Sequence, residues 1–276
     1  MSKSDKTEVT EIVSNFYNSV GWKNLTGETE DALRWEDLRG VACDYLTHCR
    51  RKLLKFIPDS GENILDMASG PIQYYEYLEY SSNFKKRHCV DFSIEALDVA
   101  KRKIGDHGVF HHGDFFKMNF DDNFFDCSLS IHTIYHMDKD KQEEAIRKLI
   151  KITKPGSNVI IVYSSNPKFI SSILTFPYRV IKKIKSLIKA KNHPSSGGDL
   201  YFYAHKNIWW NRFSDEAEIQ ILPWRTFQTD IQKTFFPNNF IGKFMFKKLT
   251  EIEESFPKFM AEAACYKLIV LTKRNK

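Results

Sequence analysis

No run of this sequence reaches the roughly 18–20 consecutive apolar residues that a membrane-spanning helix requires. Its opening, MSKSDKTEVTEIV, is polar and holds no apolar signal-peptide region. Both absences lead us to expect a cytoplasmic protein. Cysteine is sparse: Cys43, Cys49, Cys89, Cys127 and Cys265 make an odd set with no CxxC spacing. That excludes a disulfide framework and a cysteine-based zinc site, so we expect free thiols and no metal. Nowhere does G-x-G-x-x-G occur, so the glycine-rich backbone donors that cradle a dinucleotide pyrophosphate are missing. There is no internal repeat and no low-complexity tract. The formal net charge of +6 is modest for 276 residues and by itself demands no acidic partner.

What is present is the composition of a globular protein, 42% hydrophobic and 28% charged, with 22 Phe and 12 Tyr. The length fits one large domain, or one domain carrying a substantial insertion. Residues 10–56 read as helices, since Ile12, Val13, Phe16 and Tyr17, then Leu33, Leu38, Val41, Tyr45, Leu46, Leu53 and Leu54 recur near a 3.6 period. From Pro58 the pattern changes. Short apolar runs at 63–68, 87–91, 108–112, 125–131 and 157–163 alternate with helical stretches, including 93–104 and 141–153, the latter stopped by Lys154-Pro155-Gly156. Two more strand-like runs lie at 217–222 and 266–272. The reading is an α/β, Rossmann-like fold with a doubly wound, seven-stranded, mostly parallel sheet. Its expected divisions are an N-terminal helical cap (1–57), a ligand-binding core (58–163), an inserted cap after the fifth strand (164–212) and the completion of the sheet (213–276).

Three loops follow three successive strands, at the sheet edge where such folds bind ligands. The first, LDMASGP, closes its strand with Asp66 and continues through Ala68, Ser69 and Gly70, small residues past which a backbone and a ligand can approach closely. The second ends in Asp91, about 20 residues on, placed to accept from both hydroxyls of a ribose. The third, HHGDFF, sets Asp114 beside Phe115, a carboxylate for an exocyclic amine and a ring to pack on a base. Singly each acid reads equally well as a solvated loop residue or a helix cap; their order and spacing make the case.

With LDMASGP, CVDFS, HHGDFF, FDCSLSIHTIYHM and ITKPGSNVIIVY in place, residues 60–163 resemble a class I S-adenosylmethionine (SAM)-dependent methyltransferase. The resemblance is to the broad family that includes ubiquinone/menaquinone-biosynthesis C-methyltransferases and many small-molecule and sugar methyltransferases. It implies that Asp66, Ala68, Ser69 and Gly70 border the methionine part of SAM. Asp91 would bind the ribose, Phe92, Asp114 and Phe115 would hold the adenine, and the backbone around Ser130, Ile131 and His132 would face the sulfonium. Ala68 and Ile72 stand where the family often has glycine, so binding is expected to survive with a slightly displaced loop. SAM carries no phosphate, which is why a loop poor in glycine suits it better than a dinucleotide.

A methyl acceptor that loses a proton needs a base, and histidine serves near neutral pH. His132 and His136 are the candidates, with Tyr135 as an orienting hydroxyl; a packed His136 capping the next helix is the plainer alternative. Nearer the N-terminus, Tyr17 and Arg39 are candidates for the SAM carboxylate, although surface pairing explains that segment as simply. Residues 176–191 (FPYRVIKKIKSLIKAK) hold basic residues, no acid and one apolar helical face. That suits a solvated cap helix or peripheral contact with an anionic membrane. Tyr201, Tyr203, His205, Trp209 and Arg225 read as an aromatic and basic wall for the acceptor. The expected function is O-methylation of a small molecule such as a sugar, glycan or natural product, with no nucleic-acid partner. Methylation of a lipid or lipid-linked substrate, a nucleic-acid methyltransferase and a non-catalytic SAM-fold partner protein are the alternatives.

Overall fold

The computed structural model describes Val9 and residues 35–165 and 201–275. Seven strands form one sheet: β1 (Gly61–Met67), β2 (Phe84–Asp91), β3 (Gly108–His112), β4 (Phe125–Ile131), β5 (Thr153–Ser164), β6 (Ala217–Arg225) and β7 (Tyr266–Lys273). Their order is β3-β2-β1-β4-β5-β7-β6. The first five are parallel, and β7 runs antiparallel between β5 and β6. Strand order reverses between β1 and β4, so a crevice opens beyond their carboxyl ends.

The helices are α1 (Gly40–Arg51), α2 (Tyr75–Glu79), α3 (Ile94–Ile104), α4 (Lys139–Ile152), α5 (Thr229–Phe235), α6 (Phe240–Ser255) and α7 (Pro257–Ala263). The central strands are buried on both faces, so 64–67 and 159–164 are buried at every residue rather than at alternate ones. On one face Leu46 and Leu53 join Trp224, Phe246 and Met260. On the other, Ile146 and Leu149 of α4 pack with Trp210 and Phe213. α3 starts where the Ser93 hydroxyl accepts from the Ala96 N–H, and stops at Gly105, whose φ of 51° an L-residue resists. Asp138 caps α4 in the same manner, accepting from the Asp140 N–H.

All seven strand runs read from sequence are strands. The boundary after α4 differs: β5 begins at Thr153, and Lys154-Pro155-Gly156 lies inside it rather than before it. The register with β4 shifts between Phe125 and Cys127, so the Pro and Gly are absorbed where pairing is irregular. The segment 213–276 completes the sheet but also carries α5, α6 and α7 between its two strands. No helix among the described residues is long and apolar enough to cross a membrane. The stretch 176–191, most of the expected inserted cap and the greater part of the N-terminal cap lie outside the described residues.

Candidate active site

The first loop leaves β1 through Ala68, Gly70 and Ile72, with φ of 59°, 52° and 48°. A left-handed residue at every second position is natural for glycine and strained for alanine and isoleucine, costing on the order of 1–3 kcal/mol each. The surroundings hold it. The Ser69 N–H donates to the Val90 carbonyl at 3.1 Å and the Ile72 N–H to the Ser69 carbonyl at 3.3 Å. Lys103 Nζ donates to the Ile72 carbonyl at 2.7 Å. The Ile72 side chain is buried against Cys89, Leu97 and Ala100. Asp66 is also buried, and its carboxylate is paired with the Arg87 guanidinium of β2.

The loop is tied to the next one through Asp91, whose Oδ2 accepts from the Gly70 N–H at 2.8 Å and whose Oδ1 accepts from the Ser93 N–H at 2.9 Å. Burial pushes its pKa up to about 6 despite those donors. The Gly113 N–H donates to the Asp91 carbonyl at 2.9 Å, joining the third loop to the second. There Asp114 Oδ1 accepts from the Phe116 N–H at 2.9 Å. The Phe115 ring is buried with Lys148 Nζ 4.6 Å from its centre. Phe92 is partly exposed, its carbonyl accepting from His112 Nε2 at 3.0 Å.

Beyond β4 the chain turns at His132, which has φ of 59° and donates its N–H to the Val162 carbonyl at 3.1 Å. Its Nδ1 lies 3.1 Å from the Tyr135 hydroxyl, and its ring meets those of Trp224 and Tyr266 edge-on at 4.7 and 5.2 Å. Burial, with the Arg225, His136 and Arg50 charges adding to it, drives the His132 pKa well below its ordinary value. Ser130 is buried and its hydroxyl has no hydrogen-bond partner among the described residues. Ile131 is partly buried at the strand's end.

The structure separates the other sequence candidates. His136 Nδ1 donates to the Tyr201 carbonyl at 2.8 Å, and burial lowers its pKa to about 4, so this ring anchors the 201–205 segment. Tyr201 Oη accepts from the Lys139 N–H at 3.2 Å, and the Tyr203 N–H donates to the Tyr135 carbonyl at 2.9 Å. His205 and Trp209 stack on each other at 3.9 Å over the α4 face, away from His132. Arg39 does not face the first loop. Its guanidinium grips Asp37 in a two-bond fork, at 2.8 and 2.7 Å, and caps the Phe236 and Gln232 carbonyls. Tyr17 lies outside the described residues.

Two buried guanidinium groups stand nearer the site. Arg50 of α1 pairs with Glu36 and Glu76 and lies 3.6 Å over the Tyr74 ring, just past the first loop. Arg225, at the end of β6, lies 4.4 Å over the Tyr266 ring. Sequence reasoning missed Arg50 and Tyr266. Arg50 sits in a basic run, HCRRK, indistinguishable from a solvated helix end, and Tyr266 simply opens an apolar strand.

Fold and loops together define an α/β domain whose first three strands end in loops at its switch point. Residues 65–161 match the methyltransferase domain family. The ubiquinone/menaquinone biosynthesis C-methyltransferase UbiE of Pseudomonas paraeruginosa (strain DSM 24068 / PA7) is 30% identical over 131 residues, 43% of this chain and 47% of that protein. UbiE of Pseudomonas aeruginosa (strain LESB58) is 28% identical over 128 residues, with the same shares. The chain thus spans about half the length of the curated relatives it matches. Among solved structures, the complex of DhpI with SAH superposes with a TM-score of 0.56 at 12% identity, covering 97% of this chain and 98% of that one. Phosphoethanolamine N-methyltransferase 1 of Haemonchus contortus, in complex with phosphoethanolamine and S-adenosylhomocysteine, gives 0.59 at 10% identity, covering 100% and 50%. The fold is therefore that of the class I SAM-dependent methyltransferases, and residues 65–161 are the part of the chain that matches the methyltransferase domain family.

Proposed function

We propose that this chain is a SAM-dependent methyltransferase that methylates a hydroxyl group of a small molecule such as a sugar, glycan or natural product. The observation that carries the reading is Asp91: a buried carboxylate at the carboxyl end of β2, fixed by the Gly70 N–H of a left-handed loop beside the switch-point crevice. The residues fit SAM. Each Asp91 oxygen accepts one backbone N–H and keeps a second lone pair for a ribose hydroxyl. Ala68 presents only a methyl group to the crevice, and Asp114, with one oxygen committed to its own turn, has the other for an exocyclic amine.

SAM, when bound, supplies a methyl group on an already activated sulfonium, so positioning and desolvation are what the protein adds. His132 is held in one orientation by its strained backbone and by Tyr135, Trp224 and Tyr266. It is neutral, and with the proton on Nδ1 donated to the Tyr135 hydroxyl, Nε2 has the lone pair that takes the acceptor's proton. The test is S-adenosylhomocysteine production from SAM across a panel of hydroxylated small molecules. Turnover should fall by about 10²–10⁴-fold in His132→Ala while SAM affinity stays as in the wild type. Equal turnover by His132→Ala would remove the base from this account.

A further inference from the structure

The ends of β4, β5 and β6 and the start of β7 meet at one edge of the sheet. His132 bonds to Val162, Ser164 pairs with Tyr266, and Tyr266 pairs with Arg225. At that corner β6 carries a register shift between Pro223 and Arg225. Side chains of successive strand residues ordinarily point to opposite faces. The shift sets Trp224 and Arg225 against the same ring, Tyr266, at 5.9 and 4.4 Å.

Arg225 is 2% exposed. Its Nη2 donates to the Trp35 carbonyl at 3.3 Å, while Nε and Nη1 are buried with no hydrogen-bond partner among the described residues. Trp224 Nε1 is likewise buried and unpartnered, in the ring that lies 4.7 Å from His132. The other buried arginines differ: Arg50 has Glu36 and Glu76, and Arg87 has Asp66, whereas Arg225 has no carboxylate within ion-pair distance among the described residues. The charge of Glu36 reaches Arg225 only from beyond ion-pair distance, and Glu36 is committed to Arg50. A guanidinium stays charged, and burying one without a directly paired carboxylate is costly. Nε and Nη1 lie on different edges of the guanidinium, and either one, with the second hydrogen of Nη2, makes a two-donor fork that matches the two oxygens of a carboxylate or phosphoryl group.

Building on the methyltransferase reading, we propose that the acceptor is an anionic small molecule whose carboxylate or phosphoryl group is received by Arg225 and Trp224, which presents its hydroxyl to His132. Arg225 is then a specificity-determining residue, and a neutral sugar is a poor substrate.

The test is calorimetric titration of inorganic phosphate, and separately of acetate, into the full chain saturated with S-adenosylhomocysteine. One anion should bind at a single site. Arg225→Lys should weaken it about tenfold and Arg225→Met should abolish it, with S-adenosylhomocysteine affinity unchanged, because a lysine cannot reproduce the fork. Tighter phosphate than acetate assigns a phosphoryl acceptor, and the reverse a carboxylate. If Arg225→Met does not fold by circular dichroism, Arg225→Lys and Trp224→Phe, which keeps the ring and removes the donor, carry the comparison. The proposal is overturned if neither anion binds the wild type, if the variants bind as well as it does, or if Arg225→Met loses S-adenosylhomocysteine instead of the anion. The same titration on the ligand-free chain separates the two readings: absence of S-adenosylhomocysteine binding contradicts the methyltransferase assignment, while anion binding there still reports on Arg225.

Discussion

Ala68 and Ile72 share a left-handed backbone but should answer differently to glycine. Ala68 has little side chain to lose, so Ala68→Gly relieves about 1 kcal/mol of strain and should raise the melting temperature by roughly 2–4 °C in calorimetry. Ile72 is 1% exposed, and Ile72→Gly removes a fully buried side chain worth about 2–5 kcal/mol, so burial outweighs strain and that variant should melt lower. Asp91 gives a pH signature. Its folded pKa is about 6 against an ordinary 3.8, so the folded state keeps the proton longer than the unfolded one. Stability from this group is fullest below about pH 4, declines as pH rises to about 6 and is flat beyond, a loss of about 3 kcal/mol. The buried neutral His132 and His136 act in the opposite direction over this range, so the signature is a difference: the stability of the wild type relative to Asp91→Asn, read by urea unfolding, should fall by about 3 kcal/mol between pH 4 and 7. Affinity for S-adenosylhomocysteine should run the other way and weaken as pH drops below 6, because the ribose is received by the ionised carboxylate.

At the scale of the elements, the strands were legible because the acids that close them interrupt unbroken apolar runs at regular intervals. The Ser93 and Asp138 caps sit where the helical periodicity begins. What was hidden depends on contacts between distant elements. The Arg87–Asp66 pair joins β1 to β2 through two buried charges. Asp66→Asn strands a guanidinium that is 1% exposed and should destabilise the fold by about 3–5 kcal/mol in denaturant titrations. Arg39 looked available in sequence because its neighbour Asp37 resembles a surface partner, yet Asp37 is itself buried and the pair caps the carbonyls of α5. The irregular pairing at Pro223–Arg225 leaves no periodic trace, although it decides which face Arg225 occupies.

For the whole molecule, seven strands in the order β3-β2-β1-β4-β5-β7-β6 bring five chain-distant segments to one edge: the loops after β1, β2 and β3 on one side of the switch point, and His132 and Arg225 on the other. The first four were readable from LDMASGP, CVDFS, HHGDFF and FDCSLSIHTIYHM; the place of the fifth depends on where β6 and β7 enter the sheet. In the proposed function, cofactor and acceptor occupy adjoining halves of one crevice, so loss of one should leave binding of the other. The central claim, that Asp91 anchors SAM in the first half, is tested most directly by calorimetric titration of S-adenosylmethionine and S-adenosylhomocysteine into the wild type and Asp91→Ala. The account predicts micromolar binding of both to the wild type, lost in Asp91→Ala while its fold is retained by circular dichroism. A well-folded wild type that binds neither, or an Asp91→Ala variant that binds both as tightly, would contradict it.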